Sequence, residues 1–237
     1  MRPFSAFRLP LRPFTGYGRR GSCSMSAAVS FLVLLGLGHS SAVAAEPVVL
    51  PALAPSDAPT QYASWLAETG RPRAELACDP LWKDAALLCF KVQIGNKRRW
   101  VTRADLAKWK WDLPELRRRV TEAARQHDTS LPNPAAVPGL DGATYWIASG
   151  GDGWATAALL DPVALAERLG GGPFLVAVPL ETVLIAWKPG NADLDRVIAV
   201  GVREMYDGQE GPVSAVIHLW DGERFTAFGE AKPSSAP

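Results

Sequence analysis

The sequence predicts an α+β fold: mainly antiparallel sheets with packed helices, arranged as two small subdomains behind a signal peptide. Three observations carry this. Short apolar runs of period two flank hairpin signals at Gly95-Asn96 and Asp221-Gly222. Helix caps at Thr102, Asp112, Asp161 and Asn191 separate those runs. The second half reads strand, helix, strand, strand, helix, strand, strand, an order without the regular alternation of a parallel βαβ sheet.

The chain has 237 residues, 48% of them apolar and 21% charged, an ordinary globular composition. Residues 1–45 read as a secretory signal peptide. Arg2, Arg8, Arg12, Arg19 and Arg20 make a basic start, Ala27 to Gly38 is an apolar run too short to span a membrane, and Ala42-Val43-Ala44 is a small-x-small cleavage pattern. Met25 is an alternative start that would remove the arginines. The expected address is periplasmic or secreted. Beyond the signal, the segment to Asp128 is basic and the segment from Thr129 is acidic, a polarity that suits either a steered partner or two mutually attracting halves.

Residues 46–59 contain Pro47, Pro51, Pro55 and Pro59 and read as a Pro-rich linker. The N-terminal α+β subdomain is expected over 60–128. It opens with a short helix over Thr60 to Thr69 carrying Tyr62, Trp65 and Leu66. Strands follow at Glu75 to Cys78 and Ala86 to Ile94, joined through a turn at Asp79 to Asp84, with a return strand from Arg98 to Thr102. Thr102 with Asp105 caps one helix. Asp112, Pro114 and Glu115 open a longer one, whose Leu116 and Val120 point inward and whose arginines largely face solvent. Residues 129–139, with Pro132, Pro134 and Pro138, read as a second linker.

The C-terminal α+β subdomain is expected over 140–230, with a tail over 231–237. Its centre is the apolar stretch Ala143 to Lys188: a strand at Thr144 to Ala148, a Gly150-Gly151-Asp152-Gly153 turn, a helix at Trp154 to Leu160, a second helix capped by Asp161, and strands at Phe174 to Val178 and Thr182 to Trp187. Asn191 caps a helix with Leu194, Ile198, Val202 and Met205 at helical spacing, and a hairpin joins Val213–Trp220 to Arg224–Phe228.

Trp100-Val101-Thr102 with Asp105-Leu106 and Trp109, Gly153 to Leu160, and Val176-Ala177-Val178-Pro179 with Val183-Leu184-Ile185 resemble corresponding strings of the YtpQ-like family of bacterial proteins of unknown function. The resemblance covers roughly residues 90–228 and implies fold rather than activity. Family members carry a Glu where this chain has Ala155 or Thr156, and an Arg-Asp pair where it has Glu181 and Thr182, so no activity resting on those groups is implied here. Many relatives are cytosolic, a further departure.

Cys78 and Cys89 are the pair left beyond the signal; an oxidising compartment favours a disulfide between them, with buried free thiols as the alternative. Two cysteines with His127 and His218 make no recognisable metal set, and no cofactor motif is present. The 150–153 turn lacks the Lys-Ser/Thr of a phosphate loop, and Asp152 would repel phosphate. Ser149 and Ser214 lie in no nucleophile elbow. Asp152, Glu181 and His218 form a candidate cleft at the strand ends; the bland readings are a turn cap, a surface acid and a packed histidine. Lys97, Arg98, Arg99, Trp100, Arg103, Lys108, Trp109 and Lys110 form a candidate surface for an anionic partner, with a solvated hairpin tip and inward-turned tryptophans as the rival reading. The expected partners are an envelope protein, a glycan or an anionic headgroup. Neither nucleic acid nor a membrane span after signal cleavage is expected. The function read from the sequence is a non-enzymatic binding or scaffold protein of the cell envelope. The alternative is an extracytoplasmic hydrolase or transferase using carboxylates.

Overall fold

In the computed structural model the described residues are 47–82, 85–126, 135–137, 140, 142–150 and 154–231. They form helices and two antiparallel sheets, an α+β fold. The first sheet is built on a long strand, β3 (Ala86–Ile94). β1 (Val49–Pro55) runs along one edge of it. The other edge is shared end to end by β2 (Cys78–Trp82) and β4 (Lys97–Trp100).

β1 corrects the expectation of a linker over 46–59. Val49 to Ala54 are buried, in register with Ala86–Val92. The prolines that suggested a linker are accommodated because β1 is an edge strand, so the missing N–H groups of Pro51 and Pro55 leave no gap in an inner ladder. β2 begins where the sequence pattern ends it: Asp79 and Pro80, read as a turn, are edge-strand residues opposite Leu88 and Leu87. The register sets Cys78 directly across from Cys89, and their sulfurs stand at bonding distance, 2.03 Å, as a disulfide.

The second sheet has the order β10-β9-β7-β8-β6-β5, from β5 (Ala135–Ala136), β6 (Thr144–Ser149), β7 (Phe174–Leu180), β8 (Val183–Trp187), β9 (Val216–Trp220) and β10 (Phe225–Glu230). β7 and β8 lie inside it, and Phe174 to Pro179 and Val183 to Trp187 are buried throughout. Burial on both faces is why these strands read as continuous apolar runs rather than alternating ones. β5 lies within the expected linker over 129–139 and pairs with β6; the neighbouring residues 127–134 fall outside the described ones, as does the tail from 232.

Five α-helices lie among the described residues: α1 (Ala58–Glu68), α2 (Arg103–Trp109), α3 (Leu113–Gln126), α4 (Pro162–Arg168) and α5 (Ala192–Gly208). Their starts follow local chemistry. Thr102 and Asp105 close a capping box on α2, Asp161 accepts from Ala164 N at α4, and Asn191 accepts from Asp193 N and Leu194 N at α5. α5 buries Leu194, Ile198, Val202 and Met205 on one stripe and packs on β7. α3 turns Leu116, Val120 and Ala124 inward and its arginines outward, toward Asp79, Glu115 and Asp161. The segment Ala155–Leu160, expected as an ordinary helix, is a 3₁₀ helix.

The expected division into subdomains over 60–128 and 140–230 does not stand. Residues from Pro47 onward form one compact unit, and one hydrophobic cluster joins Leu53 and Phe90 of the first sheet to Phe174, Leu184 and Trp220 of the second, with Leu116 and Leu165 from the helices. Neither sheet is sealed without the other. No helix among the described residues is long and apolar enough to cross a membrane.

Candidate functional site

The two sheets meet in two different ways along β3. At the β2 end the contact is closed. Trp82 is 3% exposed and stacks on His218 of β9, with ring centroids 4.0 Å apart, and Phe225 completes the cluster against Trp82 at 5.8 Å. At the β4 end the contact is polar. Lys91 of β3 donates to both carboxylate oxygens of Glu181, in the turn between β7 and β8, at 2.6 and 2.7 Å. The same ammonium lies 4.4 Å from the ring centroid of Trp100, which β4 places opposite Lys91.

Beside this ion pair lies a cleft of about 490 Å³. The end of β1 supplies Leu53, Ala54 and Pro55, and the start of α1 supplies Asp57, Gln61 and Tyr62. Trp100 and Glu181 stand on opposite sheets, and Tyr206 with the segment Gly211–Val213 closes the side below α5. Gln61 Nε2 donates to Asp57 Oδ2 at 2.9 Å, one helical turn apart, and Tyr62 stacks on Trp65. The volume is in the range of small-molecule sites, about 300–1,000 Å³, and the lining has their usual mixture of apolar walls and a few polar groups.

Of the candidate cleft of Asp152, Glu181 and His218, the structure places Glu181 and His218 apart. Asp152 lies outside the described residues. His218 partners Val176 in register, and Glu181 lies five residues farther along, about 16 Å at strand spacing. His218 is 3% exposed and lies under Trp82, and its Nδ1 has no hydrogen-bond partner. Burial pulls its pKa down to about 4, opposed only in smaller part by the polar backbone of Val216. It is a neutral packed ring at pH 7, with no route to a substrate. Ser214 is buried and accepts from Val216 N, and Ser149 is exposed at the end of β6.

The members of the basic and aromatic set have different surroundings. Arg99 makes a bidentate pair with Asp105 at 2.6 and 2.7 Å, and Arg103 approaches Glu75 at 3.8 Å. Burial pushes the Asp105 carboxyl up, but hydrogen bonds from Arg99 and Thr102 outweigh it and hold the pKa at about 2. Trp109 packs against the core with Trp111, and Arg119 lies over Trp111. Lys97, Arg98, Lys108 and Lys110 are exposed. Lys97, Arg98 and Arg99 occupy β4, whose outer edge pairs with no strand among the described residues; basic side chains there block edge-to-edge association.

Thus one member of each candidate set, Trp100 and Glu181, belongs to the cleft, and Lys91 links them. Asp57, Gln61, Tyr62 and Tyr206 were not anticipated from the sequence. The i, i+4 spacing of Asp57 and Gln61 at a helix start, and Tyr206 falling off the apolar stripe of α5, were the available signals. Among the described residues no three His, Cys, Asp or Glu side chains come together as metal ligands. No family model, curated protein or solved structure matches the chain.

Proposed function

We propose that this chain is a non-enzymatic binding protein of the cell envelope, exported behind its N-terminal signal, that holds its ligand in the cleft beside Trp100 and Glu181. One observation carries the reading. The two carboxylates that line the cleft each have a partner, Glu181 held by Lys91 and Asp57 by Gln61, and among the described residues no His, Cys or Ser lines it to act as a nucleophile or its base. The cystine supports export, being a bond favoured in an oxidising compartment, and so does the signal-like N-terminal sequence.

The rival, a hydrolase or transferase using carboxylates, has one observation in its favour: Asp57 and Glu181 line the same cleft. Two measurements test the proposal. Mass spectrometry of the exported protein is expected to find a chain starting close to Glu46; a full-length cytosolic chain overturns the address. Amide hydrogen exchange in the presence of a solubilised envelope extract is expected to slow at residues 53–62 and 206–213. Unchanged exchange there, or release of a product from the extract that Asp57→Asn with Glu181→Gln abolishes, overturns passive binding.

A further inference from the structure

We propose that the cleft takes an uncharged, hydroxyl-rich ligand, a saccharide segment of an envelope glycan; this rests on the reading of the cleft as a binding site.

The argument runs through charge. A cationic ligand would seek Trp100 and Glu181 together, an aromatic face beside a carboxylate. That position is filled from within, because Lys91 Nζ lies over Trp100 and bonds both oxygens of Glu181. An anionic ligand would face Asp57 and Glu181, with the nearest ammonium already committed. A purely apolar ligand would strip water from Asp57, Gln61 and Glu181 without replacing its hydrogen bonds. A neutral polyol meets none of these costs.

The lining also has the two things a sugar ring needs. Pyranose rings carry an apolar C–H face, and aromatic side chains are its natural support. Tyr62, Trp100 and Tyr206 come to the cleft from three separate elements, α1, β4 and α5; each already has one ring contact, with Trp65, Lys91 and Arg203 respectively, so the sugar would use what those contacts leave uncovered. Sugar hydroxyls need fixed acceptors and donors. Glu181 is held in place by Lys91 yet keeps unused lone pairs on both oxygens, and the Asp57–Gln61 pair keeps a carboxylate oxygen and an amide carbonyl. Groups anchored in this way lose little further freedom when a ligand binds.

The test is calorimetric titration of the full mature protein with four named probes. Two are neutral, an N-acetylglucosamine tetramer and a β-1,4-glucose tetramer; one is cationic, a glucosamine tetramer; one is anionic, a heparin tetrasaccharide. At least one neutral tetramer is expected to bind with a Kd below about 1 mM. Raising the salt should change that Kd by less than about twofold, since no net charge is paired. Trp100→Ala and Tyr206→Ala, each checked for a native thermal transition, should each weaken binding by about tenfold; Phe228→Ala, on an exposed strand face, should not. Tighter, salt-sensitive binding of either charged tetramer overturns the assignment of an uncharged ligand and leaves the binding site standing. Silence from all four probes, with the hydrogen-exchange footprint still present in envelope extract, also overturns the saccharide class alone. Silence in both experiments removes the binding reading as well.

Discussion

Trp82 and Trp100 stand at opposite ends of the same strand partnership, and their surroundings differ in every respect that matters for function. Both come from strands paired to β3, Trp82 opposite Ala86 and Trp100 opposite Lys91. Trp82 is sealed by His218 and Phe225, whereas Trp100 is half-buried, with an ammonium on its ring and a cleft beside it. At the sealed end, burial strips a titratable ring of its charge. At the open end Lys91 and Glu181 pair while partly solvated, and the half-buried indole lines the cleft. Packing consumes one tryptophan, and the polar junction between the sheets preserves the other.

That contrast breaks most readily at the sealed end. Trp82→Ala should cost about 3–5 kcal/mol, as large-to-small changes of buried aromatics do, read from the urea midpoint of the mature protein. Next comes the disulfide that ties β2 to β3. Cys78→Ser with Cys89→Ser should cost about 2–3 kcal/mol for a loop this short, and the unreduced mature wild type should show no free thiol.

The third prediction concerns pH. The pKa of His218 lies near 4 in the folded chain, below the unfolded value of 6.5. The unfolded state therefore binds the proton first as pH falls. The contribution of the neutral ring is complete above pH 6.5 and is lost progressively down to about pH 4. The loss should be on the order of 3 kcal/mol, and His218→Phe should flatten that part of the stability–pH curve. The smallest effect belongs to the open end. Lys91→Met should change stability by about 1 kcal/mol or less, since the pair is partly solvated. It should nonetheless alter ligand binding, because it frees Glu181 and uncovers Trp100.

What the sequence reveals of this molecule follows from how local each cause is. β7, β8, α5 and the hairpin at Asp221-Gly222 depend on periodicity and caps within their own segments, and they are legible there. β1 is not, because Pro47, Pro51, Pro55 and Pro59 speak for a linker until a partner strand makes an edge position for them. β2 is displaced for a similar reason, since Asp79-Pro80 is ordinary turn chemistry that pairing with Leu88 and Leu87 overrides. The shared core was hidden by the proline-rich segment over 129–139, which suggests a boundary in sequence but does not mark one in space.

The cleft was the least legible feature. Its walls run from Leu53 to Val213, and no member stands out in its own segment. Trp100 stands out in the sequence for its basic neighbours and Glu181 as a carboxylate near a strand end. Their association exists only through Lys91, a partner 90 positions from Glu181 that nothing local announces. His218 was noticed for its chemistry, but its strand position between Ile217 and Leu219 already favoured packing, and the stack on Trp82 realises it.

The most direct test of the central claim is oxidative footprinting of the tryptophans, with and without a neutral tetrasaccharide that the titration shows to bind. The account predicts that Trp100 is labelled in the free protein and shielded by the sugar, while Trp82 stays unlabelled in both. Labelling of Trp82 in the native protein, or labelling of Trp100 that bound sugar leaves unchanged, would contradict it.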